Sequence, residues 1–384
     1  MKKFLNYNLQ LNKTSILLII CTVLLCIIGC VMVYSASSYS ALKNYGDSAF
    51  FLKKQIIGCV LGLIAMCFFY FFDYTKLKKF KWVILAVAIV GLILVFIPGI
   101  GMENYGAKRW VHFLGISFQP SELAKFALVL FCASYFSQNY KKVKMLKTLI
   151  PAVIVGGILC LLVILEPNMS VTMCLGLTLI VMLVVGGMKK RYLGFVGLAG
   201  AIGVPALIIA EPYRMKRLVA FVDPWANPKG EGFQLIQSLY ALGNGGLFGV
   251  GLFNSRQKYL FLPFSESDFI FSIIGEELGL FGAIFVIAVF LTLIICISKI
   301  ALNAKDRFGC LLATGIASVI AIQVAINIAV VTGSIPPTGI PLPFISAGST
   351  SLVVFMSAIG VVLNISKQSN IWLCFNFFDK KRYR

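Results

Sequence analysis

Apolar runs of about eighteen residues or more recur along this chain, each closed by a short stretch of lysines, prolines or glycines. A run of that length, as a helix, crosses a ~30 Å hydrocarbon core. A transmembrane barrel would instead show ~10-residue strands of alternating polarity, and no such alternation is present. The pattern predicts ten spans: 15–36, 55–72, 82–97, a fourth opening at Pro120-Ser121, 148–165, 171–188, a seventh ending near Ala210, then 269–298, 308–332 and 344–365. The fold class expected is an all-α polytopic membrane protein. Two interruptions stand out, the 211–268 segment and the 333–343 segment with its four prolines. Loops beyond ~12–15 residues are usually functional or disordered. The first is too rich in Trp, Tyr, Phe and Leu for disorder, and 233–242 within it reads as a short helix.

Composition agrees and charge adds direction. Hydrophobic residues make up 59% and charged residues 12% of the 384, with a mean hydropathy of +0.93. Soluble domains carry roughly 25% charged residues, so a soluble enzyme is excluded. A net charge of +20 invites a nucleic-acid partner, but most of the basic residues, 22 of 34, sit at Lys2–Lys13, 76–81, 141–147, 189–191, 299–307 and the C-terminus. Every second gap is thus basic, the positive-inside pattern, and no nucleic acid is needed to explain it. Both termini are then cytoplasmic and the 211–268 loop is extracellular. Residues 1–384 read as a single integral membrane domain, with 367–384 as a cytoplasmic basic tail. The first apolar run, about twenty-two residues, exceeds the 7–15 of a signal h-region and reads as a retained helix. Most of the eleven Cys lie inside spans and read as small hydrophobes. A single His, His112, builds no metal cluster and reads as interfacial.

The remaining polar residues collect on the outer side. Lys108 and Arg109, adjacent cations, precede Trp110, as interfacial anchors or as receivers of an anionic headgroup. Glu122 and Lys125 are i,i+3 and share a helix face, one turn inside an apolar span. A charge at the bilayer centre costs at least ~2.5–3.5 kcal/mol, so they face a polar cavity or each other. Glu166 reads as a turn residue. Gly275 and Gly279 bracket Glu276 and Glu277 at a spacing that allows close helix approach. Gln323 and Asn327, i,i+4, are expected to hydrogen-bond across helices. Asp268 opens the eighth span, with Arg214, Arg217, Ser255 and Lys258 in the loop before it. No Walker motif is present and ATP is absent outside, so chemistry there must use an already activated substrate. Outward cations point to a lipid-linked pyrophosphate. Transfer of a sugar from such a donor needs cations for the leaving group and one general base for the attacking hydroxyl, where glycosidases use two carboxylates. Asp268 is expected to be that base.

These residues fall in runs that resemble the SEDS (shape, elongation, division and sporulation) peptidoglycan glycosyltransferases. The runs are Ala107-Lys108-Arg109-Trp110, Phe118 through Lys125, Gly232 through Ser238, Ser255-Arg256-Gln257-Lys258, Asp268-Phe269-Ile270-Phe271, Glu276-Glu277-Leu278-Gly279 and Pro337 through Phe344. They occur in order over essentially the full length, and Gly251-Leu252-Phe253 is most similar to the FtsW/SpoVE branch. The resemblance implies polymerisation of lipid II into glycan strands on the outer face, in division or sporulation, beside a class B penicillin-binding protein. It puts the essential aspartate on Asp268, the cavity Glu and Lys on Glu122 and Lys125, and the basic loop residue on Arg109; Lys108, Arg214, Arg217, Gln237, Ser255, Lys258 and Ser346 complete the expected substrate-binding set. No resident metal is implied beyond a divalent cation (Mg or Mn) assisting the pyrophosphate. Tyr105, Asn168, Ser265 and Ser349 depart from the family pattern. Two rival readings are a lipid II flippase, whose charged site would sit near the midplane, and a scaffold that recruits the penicillin-binding protein.

Overall fold

The computed structural model describes residues 12–104, 107–113, 116–143 and 145–369. Ten helices of eighteen residues or more appear among them: α1 (Lys13–Tyr45), α2 (Phe50–Phe71), α3 (Leu77–Leu94), α4 (Pro120–Gln138), α5 (Leu146–Leu165), α6 (Met169–Gly186), α7 (Lys190–Ile209), α10 (Ile270–Leu302), α11 (Arg307–Val331) and α12 (Ser349–Lys367). Two shorter helices, α8 (Pro212–Val222) and α9 (Phe233–Gly245), lie in the long loop. Seven of the ten are long and apolar enough to cross a membrane by themselves. Of the other three, α3 and α7 carry lysine or arginine in their first turn, as expected of cytoplasmic helix ends, and α4 contains Glu122 and Lys125.

The outside of the bundle is greasy. Phe71, Phe195, Ile209 and Phe285 are more than half exposed, far beyond the apolar patches a soluble monomer tolerates. Lipid is the solvent that accounts for them. Inside, α12 packs along α2, α10 against α1 and α11, and α4 against α3, α6 and α11. The fully buried aromatics Phe131, Phe290, Phe308 and Phe355 come from these central helices.

Three local features depart from the apolar pattern. First, the 101–118 segment is a small antiparallel sheet, β1 (Gly101–Asn104), β2 (Ala107–Phe113) and β3 (Ile116–Phe118), in the order β1-β2-β3. Val111 pairs with both Gly101 and Phe118. Sheet at this site is compatible with an otherwise all-α membrane protein because the segment lies in a loop outside the spanning helices, where the groups on its open edges are not in hydrocarbon. Second, α1 runs nine residues past the expected end, to a left-handed C-cap at Gly46. Third, α10 is interrupted at Gly279, whose φ of 68° and ψ of −168° are not helical.

The interruption explains the glycine-rich 243–251 run. Val250 and Gly251 N–H donate to Glu276 and Glu277 O (3.0 and 3.1 Å), while Leu280 and Phe281 N–H donate to Gly246 and Leu247 O (2.9 and 3.2 Å). The loop thus satisfies the backbone groups that the break releases, as any break at membrane depth requires. The close approach foreseen at Gly275 and Gly279 is helix to helix at Gly275, where a Cβ on Gly245 of α9 would overlap Gly275 O, and helix to loop at Gly279, where a Cβ would overlap the backbone of Gly249. The backbone conformation alone, essentially restricted to glycine, costs another residue about 1–3 kcal/mol. Gly279→Ala is expected to lose at least that much stability, read as a lowered unfolding midpoint of the detergent-solubilised protein.

Candidate functional site

A cavity of about 860 Å³ opens at the end of the bundle opposite the lysine-rich turns. Its wall gathers Arg109 from β2, Arg214 and Arg217 from α8, Gln234 from α9, and Asp268 from the residue pair before α10. Arg214 and Arg217 share a face of α8 because they are i,i+3. The helix itself was hidden in the sequence inside a segment read only as basic loop. The Pro337–Pro343 stretch closes the cavity, with Thr338, Gly339 and Pro341 in its lining.

Each charged group is held by neighbours. Arg109 donates through Nε to Glu166 O (3.4 Å) and through Nη2 to Pro167 O. Arg217 donates through Nη1 to Pro337 O at 2.9 Å and lies 4.6 Å from the centroid of the Tyr213 ring. The Asp268 carboxylate sits against Gly339: a Cβ there would lie 2.8 Å from Oδ2 and 3.9 Å from Arg109 Nη1. Burial pushes the Asp268 carboxyl up to about 6, the cations of Arg109 and Arg217 drawing it back and Glu266 adding to the rise. A carboxylate near 6 is ionised at neutral pH yet basic enough to accept a proton, the range that suits a general base.

The backbone under Asp268 is tied down carbonyl by carbonyl. Ala347 N–H donates to Glu266 O (2.9 Å), Ser346 Oγ to Ser267 O (2.6 Å) and Asn327 Nδ2 to Asp268 O (2.8 Å). Ser346 also accepts from Leu342 N–H at 2.7 Å. Ser346 was expected to bind substrate. It is 6% exposed and does not line the cavity, and its contacts join the 342–347 turn to the chain entering α10.

Other expected site residues lie elsewhere. Glu122 and Lys125 are completely buried, 2.8 Å apart, behind the cavity wall. Lys125 also donates to Gln323 Oε1, and Ser351, a lining residue, donates to Glu122 Oε2 at 3.0 Å. They support the wall and do not form it. Ser255 and Lys258 belong to a separate buried knot. Glu276 accepts from Ser255 Oγ and from the N–H groups of Arg256 and Gln257 (3.2 and 3.4 Å). Glu277 accepts from Ser255 N–H, Ser35 Oγ and Lys258 Nζ at 3.2, 2.6 and 3.2 Å. Carboxylates in an apolar helix need such partners, so the Ser255–Lys258 run is spent on them. Gln237 is also off the cavity; Gln234, on the same helix, takes its place. The Lys108 and His112 side chains lie outside the described residues, as do Tyr105 and residues 370–384.

Sequence reasoning missed Glu166. The side chain is fully buried, both carboxylate oxygens lack a hydrogen-bond partner among the described residues, and burial pushes the carboxyl up to about 8 against the pull of Arg109. Burial holds it toward its neutral form, so it offsets the Arg109 charge less than an ordinary carboxylate would.

Among the described residues no group of three or more His, Cys, Asp or Glu gathers as a metal site. The acids lining the cavity are Asp268 and Glu211, facing three arginines. That donor set does not fit a protein-held divalent cation.

A polytopic helical membrane protein with a cationic cavity and one basic carboxylate at the end away from its lysine-rich turns is the class these features define. The chain belongs to the FtsW/RodA/SpoVE family, described as "Cell cycle protein", whose model matches residues 15–371. It is 42% identical over 361 residues to Stage V sporulation protein E of Bacillus subtilis, covering 93% of this chain and 99% of that protein. It is 41% identical over 369 residues to a probable peptidoglycan glycosyltransferase FtsW of Geobacter metallireducens, covering 94% and 98%. Among solved structures, it is similar to a chain of a peptidoglycan synthase complex that coordinates polymerization and crosslinking: TM-score 0.75, 25% identity, 91% of this chain and 96% of that one. The rod shape determining protein RodA of Thermus thermophilus shares the fold, with a TM-score of 0.65 at 22% identity over 92% of this chain and 96% of that one.

Proposed function

We propose that the chain is a peptidoglycan glycosyltransferase that polymerises lipid II, with Asp268 as the base. The observation that carries this reading is one carboxylate near pH 6 facing Arg109 and Arg217 in a cavity of about 860 Å³. Arg109, Arg214 and Arg217 take the pyrophosphate of the donor and offset the charge that develops as it leaves. Asp268 accepts the proton of the attacking sugar hydroxyl. The new glycosidic bond forms on the face opposite the departing pyrophosphate, so an α-linked donor gives a β-linked product in a single displacement. The arginines do the neutralising here. Relatives named peptidoglycan glycosyltransferase support the activity.

The similar chain from a synthase complex supports a crosslinking partner, for which we infer a class B penicillin-binding protein, with further divisome or sporulation proteins around it. The lysine-rich turns put the cavity on the outer face of the cell membrane, where crosslinking takes place. A flippase is the weaker reading, because Glu122 and Lys125 neutralise each other in a sealed interior and offer no charged path across the bundle.

The reading is tested by the pH profile of lipid II polymerisation. Since the base acts unprotonated, kcat/KM is expected to hold on the alkaline side and to fall about tenfold per unit once pH drops below about 6. A profile flat from pH 7 to 4.5 would remove Asp268 from the role.

A further inference from the structure

Asp268 owes its position to a side chain that no chemical step requires. Asn327 lies on α11 one turn beyond Gln323 and is 1% exposed. Its Nδ2 donates to Asp268 O and to Ile340 O, both at 2.8 Å. Both acceptors are carbonyls, so only the NH2 end of the amide can face them, and the orientation of the side chain is fixed. Its Oδ1 is left buried with no partner among the described residues. An unsatisfied buried acceptor carries a desolvation penalty, and the two donated bonds are what the site gains in return.

The two carbonyls belong to different segments. One is that of Asp268 itself; the other follows Gly339, the residue against Asp268 Oδ2. One amide on a well-packed helix thus sets how far the carboxylate stands from the loop that closes over it. Ser346 and Ala347 hold residues 267 and 266 from within a loop. Among these three ties, Asn327 alone reaches Asp268 and alone stands on a helix. Gln323 performs half of this task, donating to Pro341 O at 2.8 Å without touching residue 268. Functional groups held from rigid elements keep their geometry best.

We propose that Asn327 is a positioning residue for the transfer reaction, fixing the Asp268 carboxylate against Gly339 and the Arg109 and Arg217 guanidiniums through its paired bonds to Asp268 O and Ile340 O. The proposal rests on the reading of Asp268 as the base. A carboxylate displaced by ~1 Å loses about 10²-fold in rate. It also titrates differently, because its distances to Arg109, Arg217 and Glu266, the charged groups around it, change together.

The test measures kcat, KM for lipid II and the acid limb of the pH–rate profile for Asn327→Ala, Asn327→Asp, Gln323→Ala and Asp268→Asn. Asn327→Ala is expected to lower kcat about 10²-fold with little change in KM, and to move the acid limb. Gln323→Ala, which loosens the same loop without reaching residue 268, leaves the acid limb in place. Asn327→Asp keeps the side-chain volume but has no donor when ionised and a single one when protonated, so it cannot hold both carbonyls and also loses kcat; it decides the matter if the alanine variant fails to fold. Wild-type kcat and an unmoved acid limb in either Asn327 variant, with Asp268→Asn inactive, overturn the positioning role and leave the base standing. An Asp268→Asn enzyme that polymerises at the wild-type rate overturns the base and this inference with it.

Discussion

Asp268→Asn is expected to lose about 10²–10⁴ in kcat, the contribution typical of a positioned general base, while its unfolding midpoint at pH 7 rises. Both effects come from the same burial. The carboxyl is pushed from an ordinary 3.8 up to about 6, so the folded protein holds the charged form at a disadvantage. With the folded value above the unfolded one, the stability contributed by this group is complete below about pH 4. It is lost as pH rises through about 6, which leaves the wild type carrying the full penalty at pH 7. An amide has no charge to desolvate and nearly the same shape. Thermal unfolding and initial polymerisation rate, measured on the same preparation, check the pair of effects. A variant that is inactive and destabilised would be a misfolded protein and not a missing base.

Lys125→Met is expected to destabilise the folded protein by about 3–5 kcal/mol, the usual result of removing one member of a buried ion pair. Glu122 and Lys125 are both at 0% exposure, 2.8 Å apart, with Ser351 and Gln323 taking their remaining hydrogen bonds. Loss of the lysine strands a carboxylate among α4, α11 and α12 with a single hydroxyl for company. Removing both charges, as Glu122→Gln with Lys125→Met, is expected to recover much of the loss, because an amide at 122 still accepts from Ser351. Chemical unfolding of the two variants in detergent separates these outcomes. Equal destabilisation of the single and the double variant would show that packing, not stranded charge, is what the pair supplies.

The spans were legible because hydrocarbon imposes length and apolarity together, and the observed α5, α6, α7 and α11 fall within about two residues of the expected ends. Asp268 stood out for a similar reason: it is the last acid before an apolar helix, at the end of a loop rich in cations. Its companions were harder to read. Ser255 and Lys258 are polar residues in a polar loop, and nothing local tells that Glu276 and Glu277, some twenty residues on, will claim them. The fully buried Glu166 looked like a turn residue, which it also is; its orphaned oxygens are a property of what surrounds it in space. Gln323 and Asn327 were expected to reach across helices, and their i,i+4 spacing was the right signal. Their targets are the carbonyls of Pro341, Ile340 and Asp268, because a proline-rich loop at membrane depth has backbone groups that need donors.

Purified protein, alone and with the penicillin-binding protein proposed as its partner, supplied with lipid II and assayed for glycan strands, puts the polymerase reading to its most direct test. Strands from the wild type and none from Asp268→Asn are expected. Wild-type protein that makes no strands, yet carries lipid II from one vesicle leaflet to the other, would contradict it.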